Sequence, residues 1–296
     1  MAGRCIIQCR DEYLSNSIAQ ALEFVSIIQK SDKSTILFDL SNIEEMSPAL
    51  ALSLIVYCSK SKKNIQFTNI EAGIKTIAFD TEGLKPDVFR ESAFKAIMEG
   101  YSDKSYTPIV SFPSNSDSDY KDIVSTVIED LIIRQLGIQS NVATGLKYII
   151  EETLDNVTEH SQSDRGFIFT KANPKNGYLD ISIADRGITL LGSYKSLSGN
   201  EIADDLEAIK AANRGISSKN LAEAENRGYG IYTSKKMIID GLRGQYMMIS
   251  GGAFYLKDDQ YDNFFFLPEG CRWEGTVVSF RLYYNSPDFS YIKYIE

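Results

Sequence analysis

The chain has 296 residues, 43% apolar and 24% charged, a globular composition that excludes a disordered, collagenous or low-complexity protein and, at ~100–200 residues per domain, predicts one large or two ordinary domains. Its 40 acidic against 31 basic side chains give a net charge of −9, which argues against nucleic acid and anionic lipid as partners. The longest near-apolar run, Ala49 to Tyr57, is about half of a bilayer-spanning helix, and no leader-like segment follows Met1, so a soluble, cytosolic protein without a membrane partner is expected.

In chain order, Ile36-Leu37-Phe38-Asp39-Leu40 reads as a buried strand, and Ile65 and Phe67 alternate with polar neighbours in another. Between them Ser47 suits the N-cap of a helix running from Pro48 to Lys60. This β-α-β pattern favours a small α/β domain over residues 1–113 with its connecting segment. The polar, acidic stretch Ser114 to Asp119 marks the seam to a second unit, residues 114–296. That unit opens with two helices, one carrying Ile123, Val124, Val127, Ile128, Leu131 and Ile132, the other Leu146, Ile150, Leu154 and Val157. Strands follow at about Gly166–Lys171, Leu179–Ile183 and Val278–Leu282, which is helices followed by sheet. Cys5, Cys9, Cys58 and Cys271 lack CxxC spacing and read as reduced thiols, and with His160 the sole histidine no metal cluster is expected.

Chemistry concentrates in four places. Glu152, Asn156 and His160 recur every fourth residue, so a carboxylate, a carboxamide and an imidazole share one stripe of a helix. Such a set can deprotonate a hydroxyl, offer an oxygen to a hard cation and donate to a phosphate. Asp185 ends a strand beside Gly187, where a carboxylate can accept from an exocyclic amine and a missing side chain lets a flat ring approach. Gly228 and Gly230 precede the helical run Ile231 to Asp240, and Gly275-Thr276 opens the last strand. Taken singly, each is an ordinary turn or a solvated polar face.

The order Glu152-x-x-x-Asn156-x-x-x-His160, Asp185-x-Gly187, Gly228-x-Gly230, Gly275-Thr276 resembles the GHKL ATP-binding superfamily, over about Lys121 to Tyr284. The resemblance implies a Bergerat-type α/β sandwich, a mixed sheet covered by helices, with Mg-ATP between the helices and a flexible lid. It implies that Asn156 ligates Mg²⁺, that Glu152 is the general base and that Asp185 holds the adenine amine. Gly228 and Gly230 would contact phosphates, Thr276 would support the adenine pocket, and His160 and Gly187 would complete the nucleotide-binding set. The implied lid lies between Thr189 and Asn226 and contains Ser217-Ser218-Lys219. Thr189 stands where the family usually has the second glycine of Asp-x-Gly-x-Gly, which leaves the lid's conformation open. Rival phosphate motifs fail, because no G-x-x-x-x-G-K-[ST] loop exists and Gly228-x-Gly230 lacks a third glycine.

Within the superfamily, the only histidine belongs to the ATP-site motif and the chain ends about twenty residues beyond Thr276, so the resemblance is to the compact anti-sigma-factor serine kinases. Residues 1–105 resemble a STAS domain, in which Ser47 would occupy the place of a phospho-acceptor, although Met46 and Pro48-Ala49 replace its acidic and glycine neighbours. The expectation is an Mg-ATP-binding ATPase or protein serine kinase in a partner switch. Its partners would be ATP or ADP and a regulatory protein, itself STAS-like, with a homodimer open. The alternatives are a non-catalytic nucleotide-gated binding module, or a histidine-kinase-like subunit acting with a separate phosphoacceptor.

Overall fold

Two strands and a helix of the N-terminal region are built as their sequence predicts, and a helix not expected from the sequence precedes them. In the computed structural model, which describes residues 14–40, 46–68, 91–114, 120–196, 201–216 and 230–295, they are α1 (Leu14–Lys30), β1 (Thr35–Asp39), α2 (Pro48–Lys60) and β2 (Asn64–Thr68). Ser47 caps α2: its Oγ accepts from the Leu50 N–H at 3.2 Å, and Pro48 takes the first turn, where a missing N–H costs nothing. The α2 crossover lets β1 and β2 pair in parallel, with Ile36 opposite Ile65 and Phe38 opposite Phe67. The Ser47 hydroxyl also bonds Ser17 Oγ at 2.7 Å and is buried, the situation of a structural cap. Ser47→Ala should therefore lower stability by about 0.5–2 kcal/mol, read as a drop in Tm.

The remaining chain contributes α3 (Glu91–Glu99), β3 (Val110–Pro113), α4 (Tyr120–Leu136), α5 (Ser140–His160), β4 (Arg165–Asn173) and β5 (Tyr178–Asp185). Then come α6 (Leu190–Lys195), α7 (Asp205–Asn213) and α8 (Gly230–Lys236), the last continuing into a π-helical turn, Met237–Gly241. The final elements are β6 (Gln245–Gly251), β7 (Ala253–Lys257), β8 (Asp262–Phe266), β9 (Trp273–Tyr283) and α9 (Ile292–Ile295). Strands β3 to β9 form one seven-stranded sheet in the order β3-β4-β5-β9-β6-β7-β8. Every pairing in it is antiparallel, which corrects the mixed sheet expected from the resemblance. The physical reason is connection length: β4–β5, β6–β7 and β7–β8 are joined by a few residues each, enough for a hairpin and too few for a parallel crossover.

Both faces of the sheet are covered. On one, Val124 and Ile128 of α4 and Ile150 and Leu154 of α5 pack with Ile181, Ile183 and Phe280 of the sheet. On the other, Phe24 and Val25 of α1 and Leu52 and Ile55 of α2 pack with Phe167, Phe169, Met247, Ile249 and Val277. Helix α2 is buried continuously from Pro48 to Val56, because α1 as well as the sheet packs on it. Trp273, at the start of β9, donates its indole N–H to the Ser53 carbonyl of α2 at 2.9 Å. The 113/114 seam thus falls at the end of β3, where Pro113 pairs with Arg165, and elements from both sides of it share one buried cluster. Among the described residues no helix is long and apolar enough to cross a membrane.

Candidate active site

Three strands build the floor of a cavity. Ile183 of β5 and Met248 of β6 both stand in register with Val278 of the central β9, giving an apolar row across the sheet. Two residues further along each strand, on the same face, lie Asp185, Thr276 and Ser250, so a polar row borders the apolar one. Above the floor stand Glu152, Asp155, Asn156 and Glu159, one stripe of α5, and Gly230, Ile231 and Ser234 of α8. Together they enclose a cavity of about 250 Å³.

Asp185 is the best-defined polar group in it. Only 2% of the residue is exposed; its Oδ1 accepts from the Gly187 N–H at 2.8 Å, and the Thr276 N–H also donates to the carboxylate. Burial pushes its carboxyl up to about 7, against the pull of those two N–H groups. The neighbouring glycines hold this corner. Gly275 has φ +113°, and a Cβ there would overlap the Asp185 carbonyl oxygen, so only glycine lets β9 run this close. At Gly187 a Cβ would overlap the Ser161 carbonyl oxygen, which accepts from the Ile188 N–H at 2.7 Å. The close neighbour of Gly187 on its Cβ side is therefore the end of α5, against which it packs the β5–α6 turn.

Across the cavity, the Glu152 carboxylate lies against the start of α8, where a Cβ on Gly230 would strike Oε2. The Tyr148 hydroxyl donates to Glu152 and accepts from Thr233, and burial followed by the adjacent carboxylate pushes the Tyr148 phenol up to about 12. One turn on, Asn156 donates its Nδ2 to the Glu152 carbonyl at 2.6 Å, which makes its Oδ1 the end able to serve a cation. Asp155 is ion-paired with Lys121 of α4. Among the described residues no group of three His, Cys, Asp or Glu side chains forms a metal cage. One amide oxygen is a fit for Mg²⁺, which keeps most of its shell as water and phosphate oxygens.

Glu152, Asn156, Asp185, Gly230 and Thr276 thus converge on one cavity, while Gly187 supports it from behind. Gly228, with Ser217, Ser218 and Lys219, lies outside the described residues, as does the side chain of His160, the last residue of α5. The segment expected as a long polar lid contains two helices. Thr189 caps α6, its hydroxyl accepting from the Gly192 N–H at 3.2 Å with φ −74°, so this position has no need of a glycine. Tyr194 of α6 packs with Ala208 and Ala211 of α7, and its hydroxyl donates to the Ile216 carbonyl. Asp205 anchors α7 by accepting from the Gly252 N–H at 2.9 Å and pairing with Arg272. The sequence signal for α7 was present in Ala208, Ala211 and Ala212, whose three- and four-residue spacings make a helical face too weakly apolar to stand out. Comparison of the chain with models of protein families and with curated proteins gives no match.

Proposed function

We propose that the cavity binds an adenosine nucleotide with Mg²⁺, and that the chain is a GHKL-type ATPase or protein serine kinase of a regulatory partner switch, its N-terminal β-α-β unit STAS-like and its sheet and helices a variant of the Bergerat sandwich. The observation that carries this reading is Asp185. A buried carboxylate, held by two backbone N–H groups at the border of an apolar floor and beside Thr276, is an acceptor suited to the exocyclic amine of a planar base. The Glu152–Asn156 pair on the facing helix supplies the groups a phosphate chain requires.

On this reading Ile183, Val278 and Met248 carry the base, Asp185 takes its amine, and Asn156 holds the metal ion, whose chemistry when bound is to neutralise charge on the phosphates. Glu152, oriented by Tyr148, accepts a proton from an attacking water or serine hydroxyl. With Ser47 sealed in its cap, the acceptor is a serine of the partner protein. Gly230 contributes a backbone approach near Glu152 that any side chain would obstruct.

The test is a pair of variants. Glu152→Gln should keep ATP affinity and slow hydrolysis or transfer by about 10²-fold or more, since a general base acts in the transition state. Asn156→Ala should lose the Mg²⁺-dependent part of binding in calorimetry. Labelling with γ-phosphate-labelled ATP separates the outcomes: an acid-stable phosphoester supports the serine kinase, ADP release alone an ATPase switch, and binding without turnover a nucleotide-gated module. Turnover at the wild-type rate in both variants would refute the assignment.

A further inference from the structure

One polar group on the cavity wall has no partner. Ser234, on α8, is 3% exposed, lines the cavity, and its Oγ makes no hydrogen bond among the described residues. A helical serine or threonine ordinarily satisfies itself by donating to the carbonyl four residues back. On the facing wall Thr153 does so, to the Ile149 carbonyl at 2.7 Å, and Thr158 bonds the Leu154 carbonyl at 3.3 Å. Ser234 has the Gly230 carbonyl at the same spacing and does not use it. A buried hydroxyl left unpaired destabilises the free fold, so its persistence calls for an occupant of the cavity that pairs it.

We infer that Ser234 is a ligand-contacting, specificity-determining residue of this cavity: its hydroxyl hydrogen-bonds a heteroatom of the bound nucleoside, a second polar contact beside that of Asp185. The inference rests on the nucleotide reading. Its geometry is independent of the phosphate-binding elements, because Ser234 lies one helical turn inward from Gly230 on the same face, toward Ile238 and the apolar floor. The base and sugar are the parts of a nucleotide that offer single nitrogen or hydroxyl partners in such surroundings. Alanine at this position would remove the contact while improving the free protein, since it deletes an unsatisfied group and is the better helix former.

Two measurements decide. In thermal unfolding without ligand, Ser234→Ala should match or exceed the wild-type Tm, while in calorimetry it should bind ATP about tenfold more weakly, the scale of one hydrogen bond. The contact is then located with 1-deaza-, 3-deaza-, 7-deaza- and 2′-deoxy-ATP. One of them should bind the wild type about tenfold more weakly than ATP does, yet lose nothing further in Ser234→Ala. Equal losses in both proteins for every analogue, or a fall in ligand-free Tm, overturn the inference and leave Ser234 a structural residue. No binding of ATP or its analogues to the wild type overturns the nucleotide reading itself, whatever the variant's Tm.

Discussion

Asp185→Asn should abolish most nucleotide affinity and strengthen the free protein above neutral pH. The Asp185 carboxylate is engaged by the N–H groups of Gly187 and Thr276, so the amide of an asparagine must direct its oxygen to them. Its NH₂ is then what the cavity sees, and a donor faces the donor amine of the base. The loss is on the order of 2–3 kcal/mol, about thirty- to a hundred-and-fiftyfold in Kd. Stability moves the other way. Burial holds the Asp185 carboxyl at about 7 against an ordinary 3.8, so the folded chain keeps a proton that the unfolded chain releases. Its stabilising share is complete below about pH 4 and is lost as pH rises through about 7, a change on the order of 4 kcal/mol. Asparagine does not ionise and escapes that loss. Urea unfolding at pH 5 and pH 8 tests it as the difference between wild type and variant, which cancels the parallel contribution of Glu129, also pushed up to about 7 by burial. Equal pH dependence in the two proteins would show that Asp185 ionises freely.

The local elements were legible because each is set by neighbours in sequence. Ser47-Pro48 announces the start of α2, and the alternation of Leu179, Ile181 and Ile183 with Asp180 and Ser182 fixes which face of β5 meets α4 and α5. The convergence of Glu152, Asn156, Asp185, Gly230 and Thr276 was legible through resemblance alone, since nothing in their spacing says that α5 lies over the end of β5. What sequence left unread is long-range. That β9 inserts between β5 and β6 follows from pairings distant in sequence, such as Tyr178 with Tyr283 on one side and Gln245 with Arg281 on the other. That α2 packs on β4 and β9 follows from residues such as Phe167 and Val277, whose alternation is masked because both faces of the sheet are buried. Gly187 illustrates the same limit: the sequence shows a missing side chain, and only the fold shows that it makes room for the Ser161 carbonyl.

The largest loss of stability is expected at the pair joining the two central strands, where Asp180→Leu should cost about 3–5 kcal/mol. Asp180 of β5 stands directly opposite Arg281 of β9, which donates from Nε at 2.7 Å and from a terminal nitrogen at 2.8 Å and lies over the Tyr178 ring at 3.7 Å. The side chains are 5% and 3% exposed, so the two charges depend on each other rather than on water. On the opposite flank Lys171 of β4 also stands in register with Asp180 and is buried. Removing the carboxylate therefore takes from the buried Arg281 guanidinium the anion it donates to, in a strand row that already holds the buried Lys171. Removing the guanidinium leaves Asp180 beside Lys171, so Arg281→Met should be the milder change, though of similar volume. The face involved is the one turned away from the cavity, because Asp180 shares its side of β5 with Ala184, which packs in the α1–α2 cluster, whereas Ile181 and Ile183 point the other way. Nucleotide affinity per folded molecule should accordingly stay at its wild-type value in both variants, with the midpoint of urea unfolding lowered more by Asp180→Leu than by Arg281→Met. The reverse order would mean that Arg281 acts chiefly by stacking on Tyr178, and that the carboxylate is the dispensable member of the pair.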